Sequence, residues 1–564
     1  MPKFTMPIGK SDFAKVRTAG DYYIDKTMLI EQITSSGAEV TLFTRPRRFG
    51  KSLNMSMLQH FFDCREESES LFEGLKVSKN KDLCKNWMNK YPTILVSFKD
   101  VDGDDYESAA DQLRIIISKL YESHKYLIGD GSRLEQYEID KFRSFLTATP
   151  SDVNLKDSLN FLTKLLHNKY NKQVILLIDE YDVPMAKGDA NGYYPKITGI
   201  MRILLSQALK DNPYIKFAVL TGCLRIAEES IFTGLNNPSI NTIAETGYDE
   251  CFGFTNEDMN KLLTDIGLME KMPVFKEWYD GYIFGNREVY CPWDVLNYVD
   301  ALQTNPNQPP MNYWANTSGN DIIKRFLDSN IDVNKDFETL LSGDYIEKRI
   351  NPNITYSDLT DDDVNLWSVL YMTGYLTIVR GSLPKMTSND PKKVKGMFQE
   401  PFKLRLPNNE IKMMFEETVA GWFKNKMLKE DRTELFKAIW NGDTETITDE
   451  LCGFLGDSIS FYDYHEIFYH AFLTGLLSGV KGISVKSNSE TGTGRADVVL
   501  QYPRKGLVAI FEFKSAKSEA AMSKRCDEAL KQIDVNRYSF PFRKNTIFKY
   551  GIAFFEKQCL VKKG

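Results

Sequence analysis

Residues 40–57 read VTLFTRPRRFGKSLNMSM: a short apolar run, a basic turn that closes with glycine, and a segment whose apolar residues recur with helical spacing. This order predicts a strand, a phosphate-binding loop and a helix. In such a loop, backbone N–H groups and the helix N-terminus surround a polyphosphate at Gly50, Lys51 reaches the outer phosphates, and the Ser52 hydroxyl binds Mg²⁺. The usual motif has glycine where this chain has Arg45, so the stretch alone also fits a basic turn before a surface helix.

A second segment, residues 172–182, favours the phosphate loop. It reads KQVILLIDEYD, a continuous apolar run of strand length that ends in adjacent acids, as expected for a central parallel strand buried on both faces. At its carboxyl end, Asp179 would hold Mg²⁺ through water, and Glu180 would orient or deprotonate an attacking water. Together with Gly-Lys-Ser, this strand predicts a P-loop ATPase site.

The surrounding chain alternates strands with helices. The runs TILVSFKDV (93–101) and IKFAVLTG (215–222) predict further strands, with amphipathic helical stretches between them. This alternation predicts a parallel α/β sheet with its ligand at the carboxyl ends of the strands. Thr221 stands where such folds place a polar group that senses the γ-phosphate, and Arg225 follows closely. Both residues are equally explained as the beginning of a loop.

Composition and charge limit the class of protein. The chain has 564 residues, 42% of them hydrophobic and 26% charged, which is ordinary for globular cores, and its length predicts roughly three or four domains. The net charge of -6 argues against coating of the whole protein by nucleic acid, but residues 481–564 contain 17 Lys+Arg against 8 Asp+Glu. This basic end is the candidate anion-binding end.

Cysteines and hydropathy bear on localisation. The eight cysteines are dispersed without a C-x-x-C pair, and five histidines accompany them, so neither a zinc module nor a secreted disulfide framework is predicted. The N-terminal MPKFTMPIGK lacks an apolar signal core, and no apolar run approaches the ~18 residues of a membrane span. We expect a cytoplasmic protein without a membrane partner.

The alternation of strands and helices fades after residue 250. Residues 251–355 hold helical stretches and an aromatic cluster, which we interpret as a helical lid with an aromatic core; stacking on nucleic-acid bases is the alternative. Residues 356–455 combine a helix, a two-stranded pattern and a helical connector. This part predicts a winged-helix-like module that relays nucleotide state, with DNA contact as the less favoured role.

Residues 456–564 carry a second set of chemical groups. Asp497 begins the second strand of a predicted hairpin, and the next strand holds Glu512 and Lys514 one residue apart, so both side chains point to the same face. One acid from each of two adjacent strands, with a lysine beside the second, suits metal-assisted phosphodiester cleavage. The two acids and the carbonyl of Phe513 would bind Mg²⁺ or Mn²⁺, and Lys514 would position or activate the water.

A preceding helix adds Glu466 and His470, four residues apart on one face. Glu466 would supply a further carboxylate to a second metal or to its water shell. A core-packed His470 is favoured over a metal ligand. For the whole centre, the alternative is an exposed amphipathic strand with an incidental ion pair.

Several stretches together resemble a known family. They are FTRPRRFGKSLNMSML, ILLIDEYD, LTGCLRIAEESIFTGLNN, EWYDGYIFG and YCPWDVLNYV. The combination resembles the AAA-ATPase-like family whose members pair an N-terminal P-loop domain with a C-terminal PD-(D/E)XK nuclease-like domain. In that family an arginine normally stands at the position of Arg45. The resemblance implies ATP binding at the Gly-Lys-Ser loop, with Asp179 and Glu180 as the Mg²⁺ and water residues.

The C-terminal strands themselves resemble the PD-(D/E)XK nuclease superfamily. The matching stretches are GRADVVL and FEFK, with Ala496 instead of proline before Asp497. The following helix has Gln532 and Tyr538, which resembles the Gln-to-Tyr helix of RecB-like nucleases, and the spacing of six residues is longer than the commoner one.

We therefore predict a multi-domain α/β protein with four parts. These are a parallel-sheet, P-loop AAA-like ATPase domain at 1–250, a helical lid at 251–355, a winged-helix-like module and helical connector at 356–455, and a PD-(D/E)XK, restriction-endonuclease-like α/β domain at 456–564. The predicted nucleotide-binding residues are Arg45, Arg48, Gly50, Lys51, Ser52, Asp179, Thr221 and Arg225, with Ser52 and Asp179 on the metal. The predicted catalytic residues are Glu180, Glu466, Asp497, Glu512 and Lys514, with Asp497 and Glu512 as metal ligands.

The leading functional hypothesis is that ATP binding or hydrolysis gates metal-dependent cleavage of DNA, less so of RNA, in defence or repair. The alternative is a nucleotide-dependent switch that binds partners or nucleic acid without cutting. A third hypothesis, an ATP-driven translocase, lacks a recognisable helicase motif set. The expected partners are ATP and nucleic acid, with a second copy of the chain as a further candidate. The sequence does not identify an arginine finger.

Overall fold

The structure is a computed structural model that describes residues 4–129, 134–225, 238–314, 334–351, 354, 363–381, 400–427, 430–458, 466–491 and 494–564. The chain packs into two compact units, Met1–Ser318 with Glu347–Glu410, and Gly319–Ile346 with Ile411–Gly564. Both units combine helices with strands, so the predicted mixed α/β class is confirmed. The domain boundaries at residues 250, 355 and 455 stay predictions.

A five-stranded parallel sheet forms the centre of the first unit. Its strands are β1 (Val40–Thr44), β2 (Thr93–Ser97), β3 (Val174–Asp179), β4 (Ile215–Gly222) and β5 (Ser239–Asn241). The order across the sheet is β2-β3-β4-β1-β5, and all neighbours are parallel. The helices that accompany it are α1 (Phe13–Thr18), α2 (Met28–Ser35), α3 (Lys51–Phe62), α4 (Glu69–Phe72), α5 (Lys81–Trp87), α6 (Tyr106–Glu122), α7 (Gln136–Leu146), α8 (Asp152–Tyr170), α9 (Val183–Ala190) and α10 (Tyr194–Leu209).

Burial explains why these segments form strands. All six residues of β3, VILLID, and all five of β1 are buried. Apolar side chains from α6, α8 and α10 pack with the strands in one core, while α3 contacts β2 and β3. A parallel strand covered in this way reads as a continuous apolar run, so the four strands predicted from such runs are confirmed.

Residues 254–304 add a small antiparallel sheet with three helices. The strands are β6 (Phe254–Thr255), β7 (Tyr282–Phe284) and β8 (Arg287–Tyr290) in the order β6-β8-β7, and the helices are α11 (Asn256–Ile266), α12 (Met272–Tyr279) and α13 (Pro292–Thr304). Tyr279, Tyr290 and Tyr298 are buried in one core. These aromatic residues therefore build a core rather than a surface for stacking bases.

The next part of the chain has the local order predicted for a wing. After α14 (Asn334–Leu341) and β9 (Ile346–Lys348), α15 (Asp363–Met372) is followed by the antiparallel strands β10 (Thr377–Ile378) and β11 (Phe402–Arg405). The three strands form a sheet in the order β10-β11-β9. Residues 382–399, between β10 and β11, lie outside the described residues.

The second unit contains a five-stranded mixed sheet. Its strands, in sheet order, are β12 (Ser484–Thr491), β13 (Gly494–Tyr502), β14 (Leu507–Ser515), β15 (Thr546–Phe555) and β16 (Gln558–Lys563), and only β14 and β15 are parallel neighbours in it. The helices are α16 (Asn409–Met427), α17 (Thr433–Asn441), α18 (Thr444–Ser458), α19 (Glu466–Leu477) and α20 (Glu519–Val535). Because parallel strands need a crossover, α20 connects β14 to β15.

Among the helices that the structure describes, none is both long and apolar enough to cross a membrane.

Candidate functional sites

The loop after β1 turns through backbone conformations that few side chains adopt. Gly50, directly before α3, has a φ of 82°, in a region that glycine enters without steric cost. Arg48 also has a positive φ, of 72°. The first N–H groups of α3 have no partner within their own helix, and such groups are available to an anion.

Lys51 is held inside this loop. It is 4% exposed, and its Nζ donates to the carbonyl oxygens of Arg45 at 3.1 Å and Pro46 at 3.2 Å. Burial by itself would lower the pKa of Lys51, but Cys223 and the acidic side chains after β3 raise it above its usual value. Lys51 therefore carries a full charge at the position where the outer phosphates of a nucleotide are expected.

The Asp179 carboxylate joins two hydroxyl groups. Ser52 donates to Asp179 Oδ2 at 2.6 Å, and Thr221 donates to Asp179 Oδ1. Burial, and then the nearby Glu180, raise the pKa of Asp179. The three predicted residues Ser52, Asp179 and Thr221 thus meet at one point.

The order of the strands explains this meeting. Strand β4 lies between β1, which leads into the loop, and β3, which ends in Asp179. The carboxyl ends of the three parallel strands therefore lie side by side. Thr221, the last residue but one of β4, is placed directly beside the acid.

Glu180 follows β3 with a φ of 53°, which is a strained backbone conformation for a residue other than glycine. Its Oε1 lies 3.5 Å from the Nζ of Lys51. The sharp turn after β3 thus sends two consecutive acids to different partners, with Asp179 on the hydroxyl groups and Glu180 beside the lysine.

Asp182 supports the loop after β4. It is buried, and its Oδ2 accepts hydrogen bonds from the backbone N–H groups of Cys223 at 2.8 Å and Leu224 at 3.0 Å. Arg225 is the next residue, at the end of the described part of this loop. Asp182 was not among the predicted site residues, although the acids of IDEYD lie in one quoted segment.

A cleft of about 460 Å³ opens beside the phosphate loop. Its charged lining consists of Lys10, Lys26, Arg47, Arg48, Lys51, Lys99, Lys187 and Glu180. Four of these lysines are in ion pairs, namely Lys10–Asp21, Lys26–Asp258, Lys51–Glu180 and Lys187–Asp102, and of the acids in these pairs Glu180 lines the cleft. The cleft is therefore rich in cations, as a site for a polyphosphate requires.

The cleft is also lined by apolar and aromatic side chains. It includes Tyr22, Tyr23, Ile24, Phe254, Trp293 and Leu296. Trp293 packs against the loop, with the guanidinium carbon of Arg48 at 4.2 Å from the centre of the indole ring. Together, the cationic and apolar linings suit a ligand with a phosphate chain and a flat aromatic base.

Arg45 is not brought to the cleft. Its side chain is fully buried, and its Nη1 donates to the carbonyl oxygens of Thr44 at 2.9 Å and Asn241 at 2.7 Å. Burial lowers the pKa of Arg45 to about 10. Arg45 thus links β1 to β5, whereas Arg48 and its neighbour Arg47, which was not predicted, line the cleft.

The second centre lies on β13 and β14. Their antiparallel register brings Asp497 beside Glu512, with the N–H of Asp497 at 3.4 Å from Glu512 Oε2. The N–H of Phe513 donates to the Asp497 carboxylate at 3.0 Å, and Lys514 Nζ lies 3.4 Å from Glu512 Oε1. The structure therefore brings Asp497, Glu512 and Lys514 together as the spacing predicts.

Electrostatics make this pair a candidate for a divalent cation. Burial, and then the neighbouring Asp497, raise the pKa of Glu512 to about 7, and burial raises the pKa of Asp497. A cation relieves the repulsion between two ionised carboxylates. In the part of the chain that is described, no group of three or more His, Cys, Asp or Glu is placed to hold a metal. Two carboxylates, with waters as the remaining ligands, are a donor set that Mg²⁺ accepts, because it usually keeps several waters.

The remaining predicted groups have mixed outcomes. Glu466 begins α19, but its side chain lies outside the described residues, so its role stays a prediction. His470 Nε2 is 3.2 Å from the carbonyl oxygen of Asp497, and its ring packs 5.7 Å from that of Phe513. These contacts favour a structural role for His470, which would hold the strand that carries Asp497.

Gln532 lies on α20, but Tyr538 lies in the turn after the helix, which ends at Val535, so the two predicted residues do not share one helix. Gln532 Nε2 lies 3.5 Å from the Tyr538 hydroxyl, which also accepts a hydrogen bond from Asn536 at 2.9 Å. Tyr538 is 1% exposed and packs in the core beneath β13 and β14. Its position supports a packing role.

Comparison with known families finds two matching regions. Residues 7–232 match the family model described as "Predicted AAA-ATPase", and residues 464–564 match that of the "PD-(D/E)XK nuclease superfamily". The chain therefore contains an ATPase-like domain and a nuclease-superfamily domain, and the resemblance seen in the sequence is confirmed.

Two individual proteins are similar to this chain. An Azotobacter chroococcum mcd 1 protein named "Uncharacterized protein in vnfD 5'region" is 24% identical over 559 residues, which cover 96% of this chain and 94% of that protein. Its name assigns no activity. The structure titled "The walker-type atpase paby2304 of pyrococcus abyssi" covers 70% of this chain and 96% of its own at 11% identity, with a TM-score of 0.37, a likeness too slight to define the fold.

We expect Glu512→Gln to stabilise the second unit at pH 8 in the presence of a chelator. The pKa of Glu512 is raised from 4.5 to about 7 in the folded protein. The unfolded chain therefore ionises this carboxyl more readily, and the free energy of unfolding falls as pH rises from about 4.5 to 7. The gain should be about 1–2 kcal/mol at pH 8 and close to zero at pH 4. Urea unfolding at both pH values measures it.

The exposed Glu519→Gln is the matched control and should change stability little at either pH. An equal gain at pH 4 and pH 8 would contradict the electrostatic origin of the effect.

Proposed function

We propose that this chain, which contains an ATPase-like domain and a PD-(D/E)XK nuclease-superfamily domain, hydrolyses ATP and cleaves DNA under the control of its nucleotide state. The observation that carries the proposal is that each unit brings residues predicted from the sequence into contact, around Asp179 in the first and around Asp497 and Glu512 in the second. Defence against foreign nucleic acid or repair is the cellular setting that we propose.

The contacts of the loop support ATP as the ligand of the first unit. Lys51 now donates to two backbone carbonyls, and phosphate oxygens are stronger, charged acceptors for the same ammonium. Ser52 and Asp179 would hold the Mg²⁺ that accompanies ATP and neutralises its phosphates. Glu180 would orient the attacking water, and Thr221, bonded to Asp179, would respond to the γ-phosphate.

The second unit supports a phosphodiester substrate. Asp497 and Glu512 would hold a divalent cation that polarises the phosphate and the attacking water. Lys514, beside Glu512, would position that water through its ammonium group. The excess of 17 Lys+Arg over 8 Asp+Glu in residues 481–564 supports a polyanion as the substrate.

A chain of contacts supports coupling between nucleotide and nuclease. Trp293 contacts Arg48 at the cleft, and the next residue, Asp294, is buried near Glu410. Burial, and then the Asp294 carboxylate, raise the pKa of Glu410, so one of these two groups stays protonated at neutral pH. Glu410 Oε1 accepts the N–H of Trp314 at 2.9 Å.

Glu410 occupies the first turn of α16, and the rest of this helix belongs to the second unit. A nucleotide that displaces Arg48 from Trp293 would therefore disturb the first turn of α16. This is the route of gating that we propose.

A nucleotide-dependent switch that binds nucleic acid without cutting is the second candidate. It is favoured by the closed state of the acidic pair, because Glu512 is 1% exposed and the Asp497 carboxylate already accepts the N–H of Phe513. The cleavage experiment below separates the two functions.

Plasmid and single-stranded DNA should be cut in Mg²⁺ or Mn²⁺ by the wild type, and Asp497→Asn and Lys514→Ala should each reduce the rate by about 100-fold or more. Both variants should retain DNA binding, because the basic surface is unchanged or loses one charge. Gel assays with and without ATP measure cleavage, and filter binding measures affinity.

The matched controls are Asp534→Asn and Lys517→Ala, which alter exposed groups of the same types and should cut normally. If ATP is turned over but no metal or nucleotide condition yields cleavage, the switch is the better function.

Lys51→Ala should weaken ATP binding by about tenfold or more, because it removes the buried charge that faces the phosphates. Glu180→Gln should slow hydrolysis by about 100-fold while ATP still binds. Calorimetry and phosphate release measure the two effects, with the exposed Lys81→Ala as control. Loss of binding in Glu180→Gln would place Glu180 in a structural role instead.

Removing the Glu410 carboxyl should uncouple the two activities. Glu410→Ala should keep ATP hydrolysis and DNA cleavage but lose the dependence of cleavage on ATP, because the start of α16 no longer senses α13. Glu410→Gln, which resembles the protonated side chain, should keep the coupling. Equal ATP dependence in wild type and both variants, with unfolding checked in parallel, would exclude this route.

A further inference from the structure

Two thiols meet in the second unit. Cys452 lies on α18 and Cys559 on the edge strand β16, and their Sγ atoms are 3.7 Å apart although 107 positions separate them in the chain. Thr448 fastens the same junction, since its carbonyl accepts from Cys559 Sγ at 3.7 Å and its hydroxyl accepts from the N–H of Val561 at 3.1 Å. The contact between the thiols therefore belongs to a defined packing of helix on strand.

The surroundings of Cys452 stabilise its thiolate. The backbone N–H of Cys559 donates to Cys452 Sγ at 3.3 Å. Hydrogen bonding from the Cys559 side chain lowers the pKa of Cys452 to about 6, against the effects of burial and of the nearby Asp449. The same contact raises the pKa of Cys559. One sulfur is thus the nucleophile and the other is the proton-bearing partner.

Access and acidity distinguish Cys452 from the other cysteines. Cys526 is fully buried, donates to the Leu560 carbonyl at 3.1 Å, and has a pKa that burial raises to about 11. Cys64 and Cys84 are partly exposed like Cys452, but burial raises their pKa values. Cys452 therefore combines exposure with thiolate character.

We propose that Cys452 and Cys559 form a redox modification site, at which Cys452 reacts with hydrogen peroxide and Cys559 resolves the product as an intramolecular disulfide. The Cys452 thiolate attacks one peroxide oxygen, the O–O bond breaks, hydroxide leaves, and the sulfur becomes a sulfenic acid. The Cys559 sulfur then loses its proton and displaces the sulfenic hydroxyl as water, which forms the S–S bond. Peroxide is reduced by two electrons, and the two thiols supply them.

The position of the bond gives it a structural consequence. The sulfur atoms need to approach from 3.7 Å to about 2 Å. The closed loop contains β12 to β15 and hence Asp497, Glu512 and Lys514. Oxidation would tie α18 to β16 and restrict the unfolded chain, which should raise the thermal midpoint of the second unit. The site does not depend on ATPase or nuclease activity.

The test uses the full-length protein treated with hydrogen peroxide, digested without reductant and mapped by mass spectrometry. We expect a linked Cys452–Cys559 peptide that disappears on reduction. In Cys559→Ser, a sulfenic acid should accumulate at Cys452 and be trapped by dimedone, whereas in Cys452→Ser Cys559 should remain a thiol. Cys84→Ser is the matched control and should form the linked peptide normally.

Alkylation rates in the untreated wild type give a second readout that does not depend on any variant folding. At pH 7, iodoacetamide should modify Cys452 about tenfold faster than Cys64 or Cys84, because its thiolate fraction is larger. The proposal is overturned if Cys452 reacts no faster than these two, or if peroxide oxidises other cysteines while no Cys452–Cys559 peptide forms.

Discussion

The hydrogen bonds to the Asp179 carboxylate are the constraint on which the first unit depends. One side chain at the end of β3 receives a hydroxyl from the helix after β1 and another from β4. A buried polar group without a partner costs about 1–3 kcal/mol in stability. Because the three groups come from β3, β4 and the helix after β1, all of them are satisfied only when these strands are in register. The candidate nucleotide site and the central sheet are therefore stabilised by the same bonds.

Some residues around this centre hold the backbone in place, and others are positioned to contact a ligand. Asp182 binds two backbone N–H groups after β4, and Arg45 binds two carbonyls on the other side of the loop. Neither is free to contact a ligand, but both fix segments whose neighbours line the cleft. Lys51 lies between these roles, because its ammonium fills the loop and also meets Glu180 at 3.5 Å.

Two pairs of neighbouring carboxyl groups lie in different environments. Asp294 and Glu410 are both buried, Glu410 accepts the N–H groups of Tyr313 and Trp314, and burial drives the pKa of Glu410 upward. Asp497 and Glu512 lie between strands with Lys514 beside them, and the pKa of Glu512 rises to about 7. The pair of Asp294 and Glu410 is suited to sharing a proton and to fixing the start of α16. The second pair has the Lys514 ammonium at its side, which offsets part of the repulsion between its two carboxylates.

Local signals were sufficient wherever one segment holds the whole feature. The apolar runs predicted β1 to β4, the Gly-Lys-Ser turn predicted the loop, and the period of two along a strand predicted that Glu512 and Lys514 share a face. The aromatic cluster is also predicted as a core from one segment, because its aromatic residues are not accompanied by a set of basic residues. The prediction that Arg45 contacts the nucleotide rests on its position in the motif. That position does not determine where the long arginine side chain finds its hydrogen-bond partners.

The sequence by itself determined the two chemistries, because the phosphate loop, the acidic strand and the Asp, Glu and Lys of the last strands are written in short, periodic segments. Tertiary structure decided what those segments meet. It placed β4 between β1 and β3, turned Arg45 away from the cleft, set Trp293 against Arg48, and joined Cys452 to Cys559 across 107 positions. These outcomes depend on strand order and on which buried groups satisfy one another, and both are properties of the packed chain rather than of any one stretch.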